Sequence, residues 1–409
     1  MVSLLEGDYQ NDTRRIIVRV DRTRLILIAI AVVAVGALAV IGRSARSPLQ
    51  PQPAGDQETV QARVIEVLEE GVTEQSGIRQ LYQKLRLEIL EGELAGRAVA
   101  VDHGLYSLLG PESLYRAEER VMVMRTPRSG LPDLFVITDA FRLEALALLA
   151  VVFAAFILLV ARAQGVRSLL GMLVSLVVIT QFILPMILAG HDPVLVSIVG
   201  SFVQLAVTLY LIYGWTRKSH AAVTGMLASL IVTGLLAGFF AGLTRLTGQG
   251  AEESLFLQAS GAQINLRGLL LGGIIIGALG VLDDITISQA SAVTELTRAN
   301  PGLPPLDVFR RAMNIGRDHI ASTVNTLVLA YVGASLPLLL LFSIYPQPFG
   351  QIVNREFIAE EIVRTLVGSL GLVASVPITT FLASVVFRSR PGEPGAPATP
   401  ASPTQAHVR

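Results

Sequence analysis

The chain has 409 residues, 52% hydrophobic and only 16% charged, with 32 Lys plus Arg balancing 32 Asp plus Glu. Soluble domains carry about a quarter charged residues, so this composition points to an integral membrane protein whose first partner is the lipid bilayer. A net charge of zero leaves no global field for nucleic acid, and the lack of cysteine excludes disulfides, thiolate metal sites and a cysteine nucleophile.

Residues 1–24 form a basic leader with Arg14, Arg15, Arg19, Arg22 and Arg24. The apolar run Leu25–Ile41 follows and reads as a first membrane anchor with a cytoplasmic N-terminus. "ALA" at Ala37 to Ala39 also fits a signal-peptide cleavage site, but the long basic leader favours an uncleaved anchor. Residues 42–142 are expected outside the cytoplasm. They open with a Pro- and Ser-containing linker, "RSARSPLQPQPAGDQ". Alternating stretches then begin at Val60, Leu85, Arg97, Arg120 and Leu134. Period-two alternation punctuated by Gly, Pro and Asp predicts short strands, with "EGELAGR" as a hairpin turn. The expected product is a small β-barrel or sandwich, although "GIRQLYQKL" can also be read as a short helix.

Seven further spans are predicted in residues 143–387: Leu143–Val160, Val166–Ala189, Val194–Gly214, Ala221–Leu243, Leu266–Ile287, Asp318–Phe342 and Thr365–Phe387. Eight crossings would put both termini in the cytoplasm. With that topology, the leader and the short inner segments carry fifteen basic residues, against four in the short outer loops. This is the bias that the positive-inside rule requires. Residues 388–409, rich in Pro, Ala and Gly, are expected to be a disordered cytoplasmic tail.

Glycines four apart share a helix face and let backbones approach. Gly234, Gly238 and Gly242 are so spaced in one span. Gly268 with Gly272, Gly273 with Gly277, and then Gly280 recur in the next. These are candidate packing faces. Gln181 and Gln204 are lone amides suited to interhelical hydrogen bonds, and Pro185, Pro337 and Pro377 could kink their spans.

Chemistry concentrates where "GALGVLDDITISQASAVTEL" leaves the membrane. Counting 1.5 Å per residue from Leu266 brings Asp283 and Asp284 to the inner boundary of a ~30 Å hydrocarbon core. Asp284, Ser288, Ser291 and Glu295 share one helix face, with Gln289 beside them. The next span, "NIGRDHIASTVNTLVLAYVG", carries Asn314, Asp318, Ser322 and Asn325 on one stripe and His319, Thr323 and Thr326 on an adjacent one. A carboxylate at the helix centre costs about 2.5–3.5 kcal/mol on insertion scales, so intramembrane acids usually face a cavity or a partner. Acids at a helix end can equally be solvated by headgroups. Asp283, Asp284, Asp318 and His319 are therefore candidate ion-responsive groups. Ser288, Gln289, Asn314, Ser322, Asn325 and Thr326 are candidates to line a polar path, with an interhelical hydrogen bond the stronger reading for Asn325 and Thr326. The four titratable groups could also hold a divalent cation if they converge. No zinc-protease or Walker-type motif occurs. Asp283 follows "GVLD", not the Gly-x-Gly-Asp pattern of intramembrane aspartyl proteases. No enzymatic activity and no cofactor are expected.

The segments "LLLGGIIIGALGVLDDITISQASAVTEL" and "RAMNIGRDHIASTVNTLVLAYVGASLPLLLL" resemble the YibE/F family of multipass membrane proteins, over about Leu143 to Phe387. That resemblance implies an α-helical bacterial inner-membrane protein and no particular mechanism. The leading expectation is a permease or exporter driven by an ion gradient. The rival is an envelope scaffold or sensor whose outer β domain binds a protein partner. A homo-oligomer is compatible with both.

Overall fold

The structure, a computed structural model, describes residues 35–38, 40–41, 58–75, 78–105, 109–128, 132–261, 264–345 and 347–387. The basic leader, the bulk of the first apolar run, Ala39 of its candidate cleavage site, the Pro-rich linker and the C-terminal tail lie outside these residues. The chain separates into two compact units, Leu49–Arg162 and the remainder.

Alternation builds the first unit. Strands β1 (Glu58–Gln75), β2 (Ile78–Ile89), β3 (Ala98–His103), β4 (Arg120–Thr126) and β5 (Leu134–Ala140) make one antiparallel sheet of order β3-β2-β1-β4-β5. Every second residue is buried in one core: Val60, Ala62 and Val64 on β1, Leu85, Leu87 and Ile89 on β2, Val121 and Val123 on β4. A sheet with one wet face requires this period. The long β1 carries two bulges, between Val64 and Glu66 and between Val67 and Glu69. Bulges bend and twist a strand, and the edge strands β3 and β5 come into contact. The circuit β1-β2-β3-β5-β4 is that of an OB-type barrel left open between β3 and β5. "GIRQLYQKL" contributes to β2 and not to a helix. Its residues pair along β1 from Ile78 opposite Gln75, and that pairing overrides the local helical spacing.

Buried Gln83 ties this barrel together. Its Nε2 donates to Glu70 at 2.9 Å and to the Tyr115 carbonyl at 3.1 Å, and its Oε1 accepts from the Tyr115 N–H at 2.9 Å. His103 Nε2 lies 3.1 Å from the Ser113 carbonyl. Burial pulls the His103 pKa below its ordinary 6.5, and the Ser113 carbonyl opposes this only in part. The folded state therefore favours the neutral ring. The stability this contributes is complete above the unfolded value and is lost as pH falls through 6.5 toward the lower folded value.

The chain then becomes helical: α1 (Leu143–Val178), a π turn (Ile179–Ile183), α2 (Leu184–Leu188), α3 (Pro193–Tyr213), α4 (Arg217–Leu243), α5 (Glu252–Ala259), α6 (Leu266–Ala299), α7 (Pro305–Ala334), α8 (Leu336–Ile344), α9 (Phe349–Val353) and α10 (Glu356–Val386). Local chemistry sets several starts. Asp192 Oδ1 accepts from the Leu195 N–H at 2.8 Å ahead of Pro193. Thr216 Oγ1 caps α4 through Ser219, and Asn265 Oδ1 caps α6 through Gly268. These are N-cap residues placed where four N–H groups would otherwise be orphaned.

Five of the described helices are long and apolar enough to cross a membrane, and a sixth crossing results if α7 and α8, bent by 61°, count as one. The expected eight do not appear as eight separate helices, for two reasons. Only the last residues of the first apolar run are described; they are helical, and Val35 and Leu38 pack against the cluster of Val178, Phe182, Ile183, Ile187 and Val196. The second and third predicted spans lie in one 46-residue stretch, Leu143–Leu188. At 1.5 Å per residue that stretch exceeds twice a ~30 Å core. It is interrupted at Arg162, with φ 50° and ψ −127°, between the two predicted spans.

In the second unit α6 is the hub, packed against α3, α4, α7 and α10 and buried along much of its length. Small residues set the closest approaches. A Cβ on Gly272 would lie 2.5 Å from Ser197 Oγ of α3, and one on Gly225 of α4 would lie 2.9 Å from Thr379 Cβ of α10. The close-packed stripe of α4 runs through Gly225, Ser229, Thr233, Ala237 and Ala241, all buried. It does not run through Gly234, Gly238 and Gly242. A Cβ on Gly234 would meet Ile275 at 3.6 Å, one on Gly242 the Arg267 guanidinium at 3.2 Å, and one on Gly238 nothing within 4 Å. Serine and alanine are small enough to serve, so the face in use is rotated by about one residue.

Two outcomes follow from this packing. Hydrogen exchange at β3 amides of the full chain, corrected for intrinsic rates, should quicken between about pH 7.5 and about pH 5.5, and His103→Gln should remove most of that change. Gly225→Val should destabilise the bundle by about 1–3 kcal/mol in a detergent melt, and Thr379→Ala should recover part of the loss.

Candidate functional site

Antiparallel α6 and α7 bring part of the two polar stripes together. His319 Nε2 lies 3.5 Å from Asp284 Oδ2, with the side chains 28% and 70% exposed. The neighbouring Asp283 is half-buried, and its Oδ1 is buried without a hydrogen-bond partner. Tyr213, at the end of α3, is close enough to feel both aspartate charges. Above Asp284 on the same face of α6, Gly273, Gly277 and Gly280 are exposed. A Cβ on Gly273 or Gly280 would meet nothing within 4 Å, and one on Gly277 would meet only Tyr331 Oη, at 3.6 Å. The acid therefore sits at the foot of an open, glycine-floored furrow beside α7. Ser288 is half-buried on the next turn.

The rest of the α7 stripe is not part of that contact. Asn314, Asp318, Ser322, Asn325 and Thr326 are all exposed on the outward side of α7. Arg317 Nη1 donates to Asn314 Oδ1 at 3.0 Å, and Thr326 Oγ1 donates to the Ser322 carbonyl of its own helix at 3.0 Å. The bundle takes the opposite face of α7, with Val308, Ala312 and Gly316 buried. Among the described residues no group of three or more His, Asp or Glu is placed to hold a metal ion.

Gln289 lies in the core and not in the furrow. Its Oε1 accepts from Thr380 Oγ1 of α10 at 2.9 Å. A Cβ on Gly316 of α7 would stand 3.1 Å from either of its amide atoms. Glycine at 316 thus lets α7 close over the amide where α6, α7 and α10 meet. The Gln289 Nε2 and the Thr379 Oγ1 remain buried without a partner.

Two features were not singled out by residue pattern. On α3, oxygens of Ser197, Ser201, Gln204 and Thr208 are buried without partners. Only Gln204 drew notice, as a lone amide, although the i, i+4, i+7, i+11 spacing in "SIVGSFVQLAVT" was the available signal. At the other feature, Glu356 accepts from the Thr247 N–H at 2.6 Å, the Thr247 hydroxyl at 2.7 Å and the Gly248 N–H at 3.1 Å. Glu360 accepts from the Gly250 N–H at 3.1 Å. Together they fasten the α4–α5 connection to the start of α10, a pairing across more than a hundred residues that local pattern does not signal.

Long apolar helices packed through small residues, with hydroxyls and amides held inside, define a polytopic α-helical membrane protein. A family profile described as YibE/F-like protein matches residues 149–389, more than half of the chain, and the chain belongs to that family. No curated protein and no solved structure matches it. Asp283, Asp284, Gln289 and His319 fall inside the matched region; strands β1 to β5 fall outside it.

Thr380→Val, which removes the hydroxyl that Gln289 accepts from, should destabilise the bundle by about 1–3 kcal/mol in a detergent melt. The double variant with Gln289→Leu should be closer to wild type, because then no amide is left buried and unpaired.

Proposed function

We propose that this protein is a gradient-driven permease or exporter of the bacterial inner membrane, crossing it eight times with both termini in the cytoplasm. The observation that carries the reading is the Asp284–His319 contact between α6 and α7, with Asp283 and its unpaired oxygen alongside. A carboxylate and an imidazole form an ion pair only while the ring is protonated, and a neutral ring offers the carboxylate at most a single N–H hydrogen bond. Their contact is a joint between two helices that proton or cation binding can make or break. The break at Arg162, within a helical stretch longer than twice the ~30 Å hydrocarbon core, supports two crossings there. Without an ATPase motif in the sequence, the energy comes from an ion gradient or from a separate partner.

The permease acts as a homo-oligomer in this reading. Hydrocarbon cannot hydrogen-bond Ser322 and Asn325, which are exposed on the same stripe as Asp318 but a turn or two deeper along α7. A second copy supplies matching donors and acceptors, and the stripe then lines a shared path.

A second reading, an envelope scaffold or sensor, is favoured by the separate β unit. Its opening between β3 and β5 holds a cavity of about 430 Å³ lined in part by Arg97, Asp133 and Phe135. Crosslinking with mass spectrometry separates the two. A stoichiometric envelope partner lost on deletion of residues 56–140, without ion flux, selects the scaffold.

In proteoliposomes containing a pH dye, an imposed proton gradient should collapse faster than in empty vesicles. Asp283→Asn, Asp284→Asn and His319→Gln should each slow the collapse by about tenfold or more. Equal flux in all three would remove these groups from the mechanism. The chain has no native cysteine, so Ser322→Cys should give an oxidation-dependent dimer band in membranes. A monomer alone would reject the shared path.

A further inference from the structure

Where α3 gives way to α4, the helical unit holds a second polar site, built with the opposite charge. A cavity of about 360 Å³ is lined by Tyr213, Thr216, Arg217, Lys218, Thr294, Glu295, Arg298 and Phe387. Three of these are cations and one is an acid, so the lining is net positive, unlike the aspartate-rich furrow. The Lys218 ammonium is held 4.9 Å above the Tyr213 ring centre. Arg298 meets Glu295 at 3.1 Å, but both side chains are more than 70% exposed. Such a surface pair is weak, and the guanidinium is free to turn toward an incoming anion.

The backbone adds to the same field. Thr216 Oγ1 caps only the Ser219 N–H. The N–H groups of Arg217 and Lys218 therefore stand without intrahelical partners at the positive end of a 27-residue helix. Counting ~20 residues across the hydrocarbon from Leu266, Thr294 to Arg298 stand about two to three turns past it, at the depth of headgroups and adjoining water. Phe387 and Tyr213 provide an apolar wall below the charges.

We propose that this cavity binds a phosphate-bearing anion, supplied either by the headgroup of an anionic phospholipid or by free phosphate. Two mobile guanidiniums, one ammonium and two backbone N–H groups match the several oxygens of a phosphate better than they match a single carboxylate. Tyr213 lies near the aspartates as well, but none of the three cations takes part in the Asp284–His319 contact, so loss of anion binding and loss of transport are separable.

The chain contains one tryptophan. Trp215 adjoins Thr216 of the cavity, stacks on Tyr210 at 4.6 Å and is 57% exposed, so its fluorescence reports on this site alone. The full chain in an uncharged detergent is titrated with phosphatidylglycerol, with phosphatidylcholine and with inorganic phosphate. A saturable change with phosphatidylglycerol and none with the other two assigns a lipid headgroup; a saturable change with inorganic phosphate as well assigns a soluble anion. In either case Arg217→Gln/Lys218→Gln, and separately Arg298→Gln, should raise the midpoint by about tenfold or more, while Lys218→Arg should leave it nearly unchanged. Absence of a saturable response to both phosphate compounds overturns the proposal. So does a response that persists unchanged in the double variant and in Arg298→Gln, each shown by its melting curve to be folded.

Discussion

Hydrocarbon offers no hydrogen bonds, so every polar atom carried into it must find a partner inside the protein or on a wet surface. The helical unit is arranged around that constraint, and Gln289 shows how. Its amide is buried where three helices meet and reaches no water, so α10 supplies the Thr380 hydroxyl and α7 presents Gly316, whose missing side chain makes the room. The same economy repeats along α4 and α10, where hydroxyls donate to carbonyls one turn back: Ser229 to Gly225, Thr233 to Ser229, Ser369 to Thr365. A hydroxyl satisfied by its own helix is as compact as an alanine for packing. That is why the close-packed face of α4 mixes serine, threonine and alanine with a single glycine.

Seen against this economy, the exceptions are informative. Asp283 Oδ1, Gln289 Nε2 and the α3 oxygens of Ser197, Ser201, Gln204 and Thr208 are buried without partners. Each such group costs about 1–3 kcal/mol if nothing answers it, and structures retain few of them without reason. They lie on α3 and α6, and Arg364 Nε and Thr379 Oγ1 on α10 are left in the same way, while Asp284 and His319 meet at the exposed edge of α6. Buried polar atoms without a partner thus gather on the hub helix and on helices packed against it.

The β unit obeys a different solvent. Water satisfies its outer face, so its buried apolar residues recur at every second position and were legible as strands at Val60, Leu85, Arg97, Arg120 and Leu134. "EGELAGR" was legible as a turn, with Gly92 and Gly96 at φ near 80°. What alternation could not convey was closure. The bulges of β1 bend the sheet until β3 meets β5, and bulges leave no signature in a pattern of period two. Local spacing also misleads at "GIRQLYQKL", because cross-strand pairing with β1 outweighs the preference of an isolated segment.

Composition, apolar run length and period-two alternation were sufficient to establish a membrane protein with apolar helical spans and a small β unit early in the chain. These are properties of residues taken singly or along one element, and water or lipid imposes them wherever the chain goes. The partners of those residues were not legible. His319 faces Asp284 while Asp318 beside it faces out, Gln289 is core and not path, and α4 packs through Gly225 and Thr233 and not through Gly238. Each of these depends on how far a helix is rotated about its axis, and one residue of rotation is about 100°. Only the packing of neighbouring helices decides that angle.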